Sequence, residues 1–239
     1  MILFISDLHL QASRPETTRA FLDFLAGPAR QAKALWILGD LFEFWVGDDE
    51  LEEPFHACIA DALATLGAAG VKIRIIVGNR DFLLGKSFAA RSGAQIFAEP
   101  VAINVDQQRI VLLHGDAQCT DDVAYQRFRR RIRSPLTLAL LRRLPLALRR
   151  ALARRIRRGS ESAKPYKNQQ LMDVNPAAIE AVFRATDADV MIHGHTHRPA
   201  HHTHTVDGRE RQRWVLSDWH AKATWLEAGP DGWIAREET

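Results

Sequence analysis

A chain of 239 residues is long for one domain and short for two, so the expectation is one large core carrying an insertion. With 46% hydrophobic and 26% charged residues it reads as a soluble globular protein, and two cysteines, Cys58 and Cys119, exclude a disulfide framework and predict reduced thiols. The net charge of +3 is unevenly spread: Arg127 to Arg158 hold 13 arginines and no acidic residue, leaving 19 basic against 29 acidic residues elsewhere.

The N-terminal MILFISDLHL starts directly on a strand-like apolar run, without the basic region or cleavage site of a signal peptide. No apolar stretch reaches the roughly 18 residues that a membrane span needs. The expectation is a cytosolic protein, or one attached to a membrane from the cytosolic side.

In chain order, short apolar runs recur, each ending in polar residues. ILFIS (2–6) leads to Asp7-Leu8-His9, and ALWIL (34–38) to Gly39-Asp40. IRIIV (73–77) leads to Gly78-Asn79-Arg80-Asp81, IVLL (110–113) to His114-Gly115-Asp116, and DVMI (189–192) through His193 and Gly194 to His195-Thr196-His197. Such β-branched runs predict strands buried on both faces. Helical patterns lie between them at Thr17–Leu25, Pro54–Leu66 and Pro176–Ala185, the last with Asn175 as N-cap. After Pro199, alternating residues with turns at Val206-Asp207-Gly208 and Pro230-Asp231-Gly232 predict antiparallel hairpins, with a strand at Trp214–Leu216. The expected fold class is α/β, a layered α/β/β/α sandwich with the strand ends meeting along one edge.

Asp-x-His and His-x-His at strand ends place both side chains on one face by the period of two. Glycines at 39, 78, 115 and 194 permit tight turns or close approach of backbone to a bound group. The candidate ligands Asp7, His9, Asp40, Asn79, His114, His195 and His197 mix carboxylate, amide and imidazole without thiolate. That set suits Mn²⁺, Fe²⁺ or Zn²⁺ better than Ca²⁺. Seven ligands exceed one ion and match two sharing a carboxylate, the clamp that polarises a phosphoryl oxygen and generates a hydroxide nucleophile near neutral pH. Taken singly, Asp40 also reads as a turn residue, Asn79 as a turn cap and His114 as a core histidine. His193 lies within a strand and reads as structural or supporting, and His201, His202 and His204 read as solvated strand residues.

The series Asp7-x-His9, Gly39-Asp40, Gly78-Asn79, His114 and Gly194-His195-x-His197 resembles the calcineurin-like metallophosphoesterase superfamily. The resemblance implies a four-layer sandwich, one domain over 1–239, in which Asp7, His9, Asp40 and His197 hold one metal. Asn79, His114, His195 and the shared Asp40 would hold the other. Most members have histidine directly after the Asn; here the position is Arg80. Arginine is no acid near pH 7, but its fork grips phosphate oxygens, which leans toward anhydride cleavage with a leaving group that departs easily.

Longer strings narrow the likeness: DLFEFWVGDD (40–49), GNRDFLLGKSF (78–88), HGDAQCTDDVAYQRFRR (114–130) and HGHTHRP (193–199). They resemble the bacterial pyrophosphohydrolases that act on UDP-2,3-diacylglucosamine in lipid A synthesis, over nearly the whole chain. That resemblance implies hydrolysis to 2,3-diacylglucosamine 1-phosphate (lipid X) and UMP by attack on the α-phosphorus, with two Mn²⁺ per chain and Asp40, Asn79, Arg80, His114 and His195 catalytic. The implied substrate contacts are Asn79, Arg80, Asp122, Ser160, Lys164, Lys167 and His195. The rivals are a soluble nucleotide phosphoesterase or nuclease of the same superfamily, and a metal-free binding scaffold, which has no need of all seven ligands.

Residues 121–167 form the expected helical, arginine-rich insertion, a lid over the strand ends. Leu148, Leu152 and Ile156 make an apolar stripe on a helix from about Pro145, ending near Gly159 and Ser160, ringed by Arg149, Arg150, Arg154, Arg155, Arg157 and Arg158. Leu136, Leu138, Leu140, Leu141 and Leu144 form a second cluster. This basic amphipathic pair reads as an element at an anionic inner-membrane surface, as a cover over acyl chains, or as a hairpin packed on the core. Nucleic acid is not expected as a partner, since Tyr125 and Phe128 are few aromatics for stacking on bases. The expected protein is a monomer, peripheral on the cytoplasmic side of that membrane.

Overall fold

The structure, a computed structural model, describes residues 1–163, 173–230 and 232–238, with side chains described outside 160–163. Four strands and three helices alternate first: β1 (Ile2–Ile5), α1 (Pro15–Ala26), β2 (Ala34–Leu38), α2 (Pro54–Ala68), β3 (Lys72–Ile76), α3 (Lys86–Ser92) and β4 (Gln95–Phe97). Next come the hairpin β5 (Val101–Val105) and β6 (Gln108–Leu112), then α4 (Val123–Ile132), α5 (Pro135–Arg143) and α6 (Leu146–Ala163). The chain finishes with α7 (Pro176–Thr186), β7 (Val190–His193), β8 (Ala200–Val206), β9 (Arg209–Val215), β10 (Thr224–Gly229) and β11 (Gly232–Glu237).

Two sheets result, ordered β11-β10-β1-β2-β3-β4 and β5-β6-β7-β9-β8. β1 to β4 run parallel, as do β6, β7 and β9. The period of two divides each inner strand between layers. In β2, Leu35 and Ile37 face Phe21, Phe24, Leu63 and Phe88, whereas Trp36 and Leu38 face Ile110, Leu112, Val190 and Ile192 of the other sheet. In β6 and β7, Val111 and Met191 pack on Ile179 and Phe183 of α7. The layers are therefore helices α1 to α3, sheet, sheet, and helix α7. This is the α/β/β/α sandwich expected from the apolar runs.

The predicted helices form, and Asn175 caps α7 by accepting from the N–H groups of Ala177 (2.9 Å) and Ala178 (3.2 Å). Both predicted hairpins form, as β8–β9 and β10–β11. The insertion differs from its reading. It has three helices, not two, and α6 continues through Gly159 and Ser160 to Ala163. Glycine weakens a helix by only about 1 kcal/mol, which seventeen other residues outweigh.

Candidate metal centre

Every proposed ligand lies just past the carboxyl end of a parallel strand: Asp7 and His9 after β1, Asp40 after β2, Asn79 after β3, His114 after β6, and His195 and His197 after β7. Open α/β sheets bind ligands at such ends, because the loops there converge while the strands stay packed. The local reason differs from strand alternation. Asp7, His9, Asp40, His195 and His197 have φ of 56°, 50°, 53°, 69° and 54°, so these pairs are aimed by left-handed turns rather than by the pleat.

The donors converge. The Nε2 atoms of His9 and His197 are 3.3 Å apart, and Asp7 Oδ1 is 3.2 Å from His197 Nε2 and 3.8 Å from His9 Nε2. Ligand atoms of Asp7, His9 and His197 lie within 4.8 Å of one another, as do those of Asp7, Asp40 and His114. Asp40 reaches both sides: its Oδ1 is 3.7 Å from His114 Nε2 and its Oδ2 3.9 Å from His9 Nδ1. Asn79 Oδ1 is 3.0 Å from His114 Nε2, and the ring of His195 stands edge-on to that of His114 with centroids 5.0 Å apart. His9 Nδ1 is buried without a hydrogen-bond partner. An uncompensated imidazole nitrogen among buried carboxylates fits a divalent cation better than a closed hydrogen-bond network does.

Several groups hold this cluster in place. His114 Nδ1 donates to Leu38 O at 2.8 Å, which leaves Nε2, beside Asn79, as the nitrogen facing the cluster and the one an ion would take once the ring is neutral. Asp81, fully buried, accepts from the backbone N–H of Gly78 (2.7 Å) and of Leu41 (2.8 Å), tying the loops after β2 and β3 together. Asp7 Oδ2 accepts from Ser6 Oγ (2.6 Å) and the His195 N–H (2.8 Å). A Cβ on Gly194 would collide with these same Ser6 and Asp7 oxygens, which is why the position is glycine.

The electrostatics follow from burial and crowding. Burial alone would raise the Asp7 carboxyl, but the hydrogen bond from His197 and the charges of the surrounding histidines hold it well below the usual carboxylate range. Asp40 is raised by burial despite His114, with the Asp81 and Asp7 carboxylates adding to the shift. Burial lowers His195 to about 4 and His9 to about 2. His114 and His197 go the other way. Against burial, the Asp40 and Asp7 charges raise His114 to about 9, and hydrogen bonds to Asp218 and Asp7 raise His197 to about 10.

Arg80 stands over the cluster, paired through Nη1 with Glu43 and with Nε 3.5 Å from Asp40 Oδ2. Glu43, 4% exposed, also takes Arg157 Nη1 of α6 at 2.6 Å. From Asn79 and Arg80 a cavity of about 400 Å³ extends beneath the insertion, lined by Trp45, Phe82, Phe128, Leu141, Leu152 and Ile156 among others. The Leu152–Ile156 stripe thus borders an open apolar cavity rather than the core.

Asp122 Oδ1 accepts from the Tyr125 N–H at 3.0 Å, capping α4, one wall of that cavity. The Ser160 side chain, Lys164 and Lys167 lie outside the described residues. Sequence reading missed Glu43, Asp81, Asp116 and Asp218. Asp116 accepts from Tyr125 Oη (2.7 Å) and Arg129 Nε (2.7 Å), anchoring α4 beside His114. Asp218 was open to the same rule that found the others, since Trp214–Leu216 is another apolar run ending in a carboxylate.

This fold and this strand-end set of carboxylate, amide and imidazole donors define a divalent-metal phosphoesterase. The chain belongs to the calcineurin-like phosphoesterase family, whose model matches residues 1–199. Within it, curated proteins named UDP-2,3-diacylglucosamine hydrolase are similar to this chain along nearly their whole length. That of Aromatoleum aromaticum is 52% identical, covering 95% of this chain and 94% of its own. Those of Pseudomonas entomophila and Pseudomonas aeruginosa are each 46% identical, covering 97% of this chain and 96% of their own.

Proposed function

We propose that the chain hydrolyses the pyrophosphate bond of UDP-2,3-diacylglucosamine, giving 2,3-diacylglucosamine 1-phosphate (lipid X) and UMP in lipid A synthesis. The carrying observation is an apolar cavity of about 400 Å³ that opens at Asn79 and Arg80, beside the convergent donors. It offers an acyl-bearing substrate one apolar compartment next to a phosphate-handling edge, and the names of the relatives at 46–52% identity agree.

Two divalent ions, Mn²⁺ by resemblance, would be held by Asp7, His9, Asp40, Asn79, His114, His195 and His197, with Asp40 able to serve both. When bound, they would supply Lewis acidity at the phosphoryl oxygens and bring the pKa of the attacking water down toward neutrality. Asn79, Arg80 and His195 line the path of the diphosphate, and Asp122, Ser160, Lys164 and Lys167 serve the remaining substrate contacts. The Arg80 fork receives phosphoryl oxygens, positioned by Glu43 until the substrate takes its place. The water oxygen joins the α-phosphorus as its bond to the bridging oxygen breaks, and lipid X departs with that bridging oxygen. A phosphate monoester leaves readily as an anion, so an arginine where most members of the superfamily have histidine is no handicap.

The protein works as a monomer, peripheral on the cytoplasmic side of the inner membrane, with residues 121–167 as the lid toward the lipid. Leu136 and Leu140, 82% and 60% exposed, share one face of α5, while exposed Arg142, Arg143, Arg154 and Arg155 suit anionic headgroups. No helix among the described residues is long and apolar enough to cross a membrane. The test compares UMP release from UDP-2,3-diacylglucosamine with hydrolysis of cyclic nucleotides, dinucleoside polyphosphates and single-stranded DNA, with Mn²⁺ and after chelation. Metal-dependent release of UMP, far above the other activities, is expected. Preferred hydrolysis of the soluble nucleotides would overturn the reading.

A further inference from the structure

The loop after β9, beyond the residues 1–199 that the family model matches, approaches the donor cluster. The N–H of Leu216 continues the β7 pairing by donating to His193 O at 2.8 Å, and three residues later the Trp219 N–H donates to Asp7 O at 3.1 Å. Trp219, 1% exposed, is locked edge-on against Phe21 and Phe24. Between these two fixed points lies Asp218, whose Oδ2 is 3.1 Å from His197 Nδ1.

We infer that Asp218 is a positioning residue for the metal ion held by His197, fixing the ring so that Nε2 faces Asp7 and His9. A neutral imidazole carries one proton, and the nitrogen beside a carboxylate keeps it. With Nδ1–H committed to Asp218, only Nε2 is left to take an ion. Nε2 is the atom that stands 3.2 Å from Asp7 Oδ1 and 3.3 Å from His9 Nε2. His114 is held on the same plan, but its acceptor is the Leu38 carbonyl, which no side-chain change removes. His197 depends on a side chain, and its own is 32% exposed against 0% for His114, so less packing holds its ring. His220 Nε2, 3.3 Å from the same Asp218 oxygen, is 76% exposed and competes weakly for it.

The inference rests on the reading of Asp7, His9 and His197 as metal ligands, and its test separates the two. Mn²⁺ binding is measured by titration on full-length wild type, Asp218→Asn and Asp218→Ala, together with the Mn²⁺ concentration for half-maximal turnover. Asp218→Ala should weaken one Mn²⁺ site about 10- to 100-fold, the usual effect of removing the partner of a ligand histidine. Turnover at saturating Mn²⁺ should stay within about threefold of wild type, and Asp218→Asn, whose amide oxygen still accepts from Nδ1–H, should recover most of the affinity. Wild-type affinity in Asp218→Ala overturns the inference alone. So do equal defects in both variants that saturating Mn²⁺ does not relieve, which mark a loop brace rather than a ring orienter. A wild type that binds no Mn²⁺ overturns the metal reading as well.

Discussion

Five of the seven proposed ligands are non-glycine residues with positive φ, a conformation that costs about 1 kcal/mol or more at each. Such strain persists only where surrounding contacts enforce it, and here the contacts are visible: Asp81 spans two loops, and the Asp7 carboxylate receives two donors. The strain aims donors at a common point that relaxed backbone would not bring together. The same crowding governs protonation. In the metal-free protein at neutral pH, His114 and His197 are charged, because their values are raised to about 9 and about 10. Ions bind only neutral rings, so binding expels these protons, and affinity should climb with pH by roughly tenfold per unit for each proton released, levelling above those values. Calorimetric titration with Mn²⁺ in buffers of different ionisation enthalpy counts the protons. Release of none would show that both rings are already neutral before the ion binds, against the raised values.

The seven proposed ligands were legible because each is marked locally, by an apolar run that stops at a polar residue and, at four of them, by glycine. Their convergence was legible because parallel strands end on one edge. The left-handed turns were not, since a D-x-H string reads the same whether the pleat or a turn aims it. The roles of Glu43, Asp81 and Asp116 were not legible either: Asp81 and Asp116 stand inside the polar clusters that end apolar runs, but each turns to backbone N–H groups or to α4, and Glu43 meets arginines from distant segments. The insertion was legible as basic and amphipathic, but the division of its arginines was not. Arg149 is 6% exposed, donates to Val46 O at 2.5 Å and pairs with Asp49, and Arg150 pairs with Glu50 at 2.6 Å. With Arg157 on Glu43, these hold α6 against residues 43–53. Charge-assisted bonds of this kind contribute about 1.5–3 kcal/mol. Arg149→Ala should therefore raise local opening of α6, read by amide hydrogen exchange, about 10- to 100-fold, with little change in the sandwich strands. Unchanged exchange would show that α6 is held by other contacts.

At the scale of the molecule, two sheets fix the strand ends, α4 to α6 roof them, and the space between is apolar. The roof has an inner face bordering the cavity and an outer face with Leu136, Leu140 and exposed arginines. Binding to phosphatidylglycerol vesicles should fall with rising salt, as screening weakens the arginine contribution. Leu136→Asp should weaken it about tenfold or more, since burying a leucine is worth about 1.5–3 kcal/mol. Cosedimentation reads both, and binding indifferent to salt and to Leu136 would place the outer face in water. The most direct test of the account as a whole is to run the reaction on UDP-2,3-diacylglucosamine with Mn²⁺ in ¹⁸O-labelled water and to weigh both products. Attack on the α-phosphorus predicts one ¹⁸O in UMP and none in lipid X. Label in the lipid X phosphate, or no cleavage at all, would contradict it.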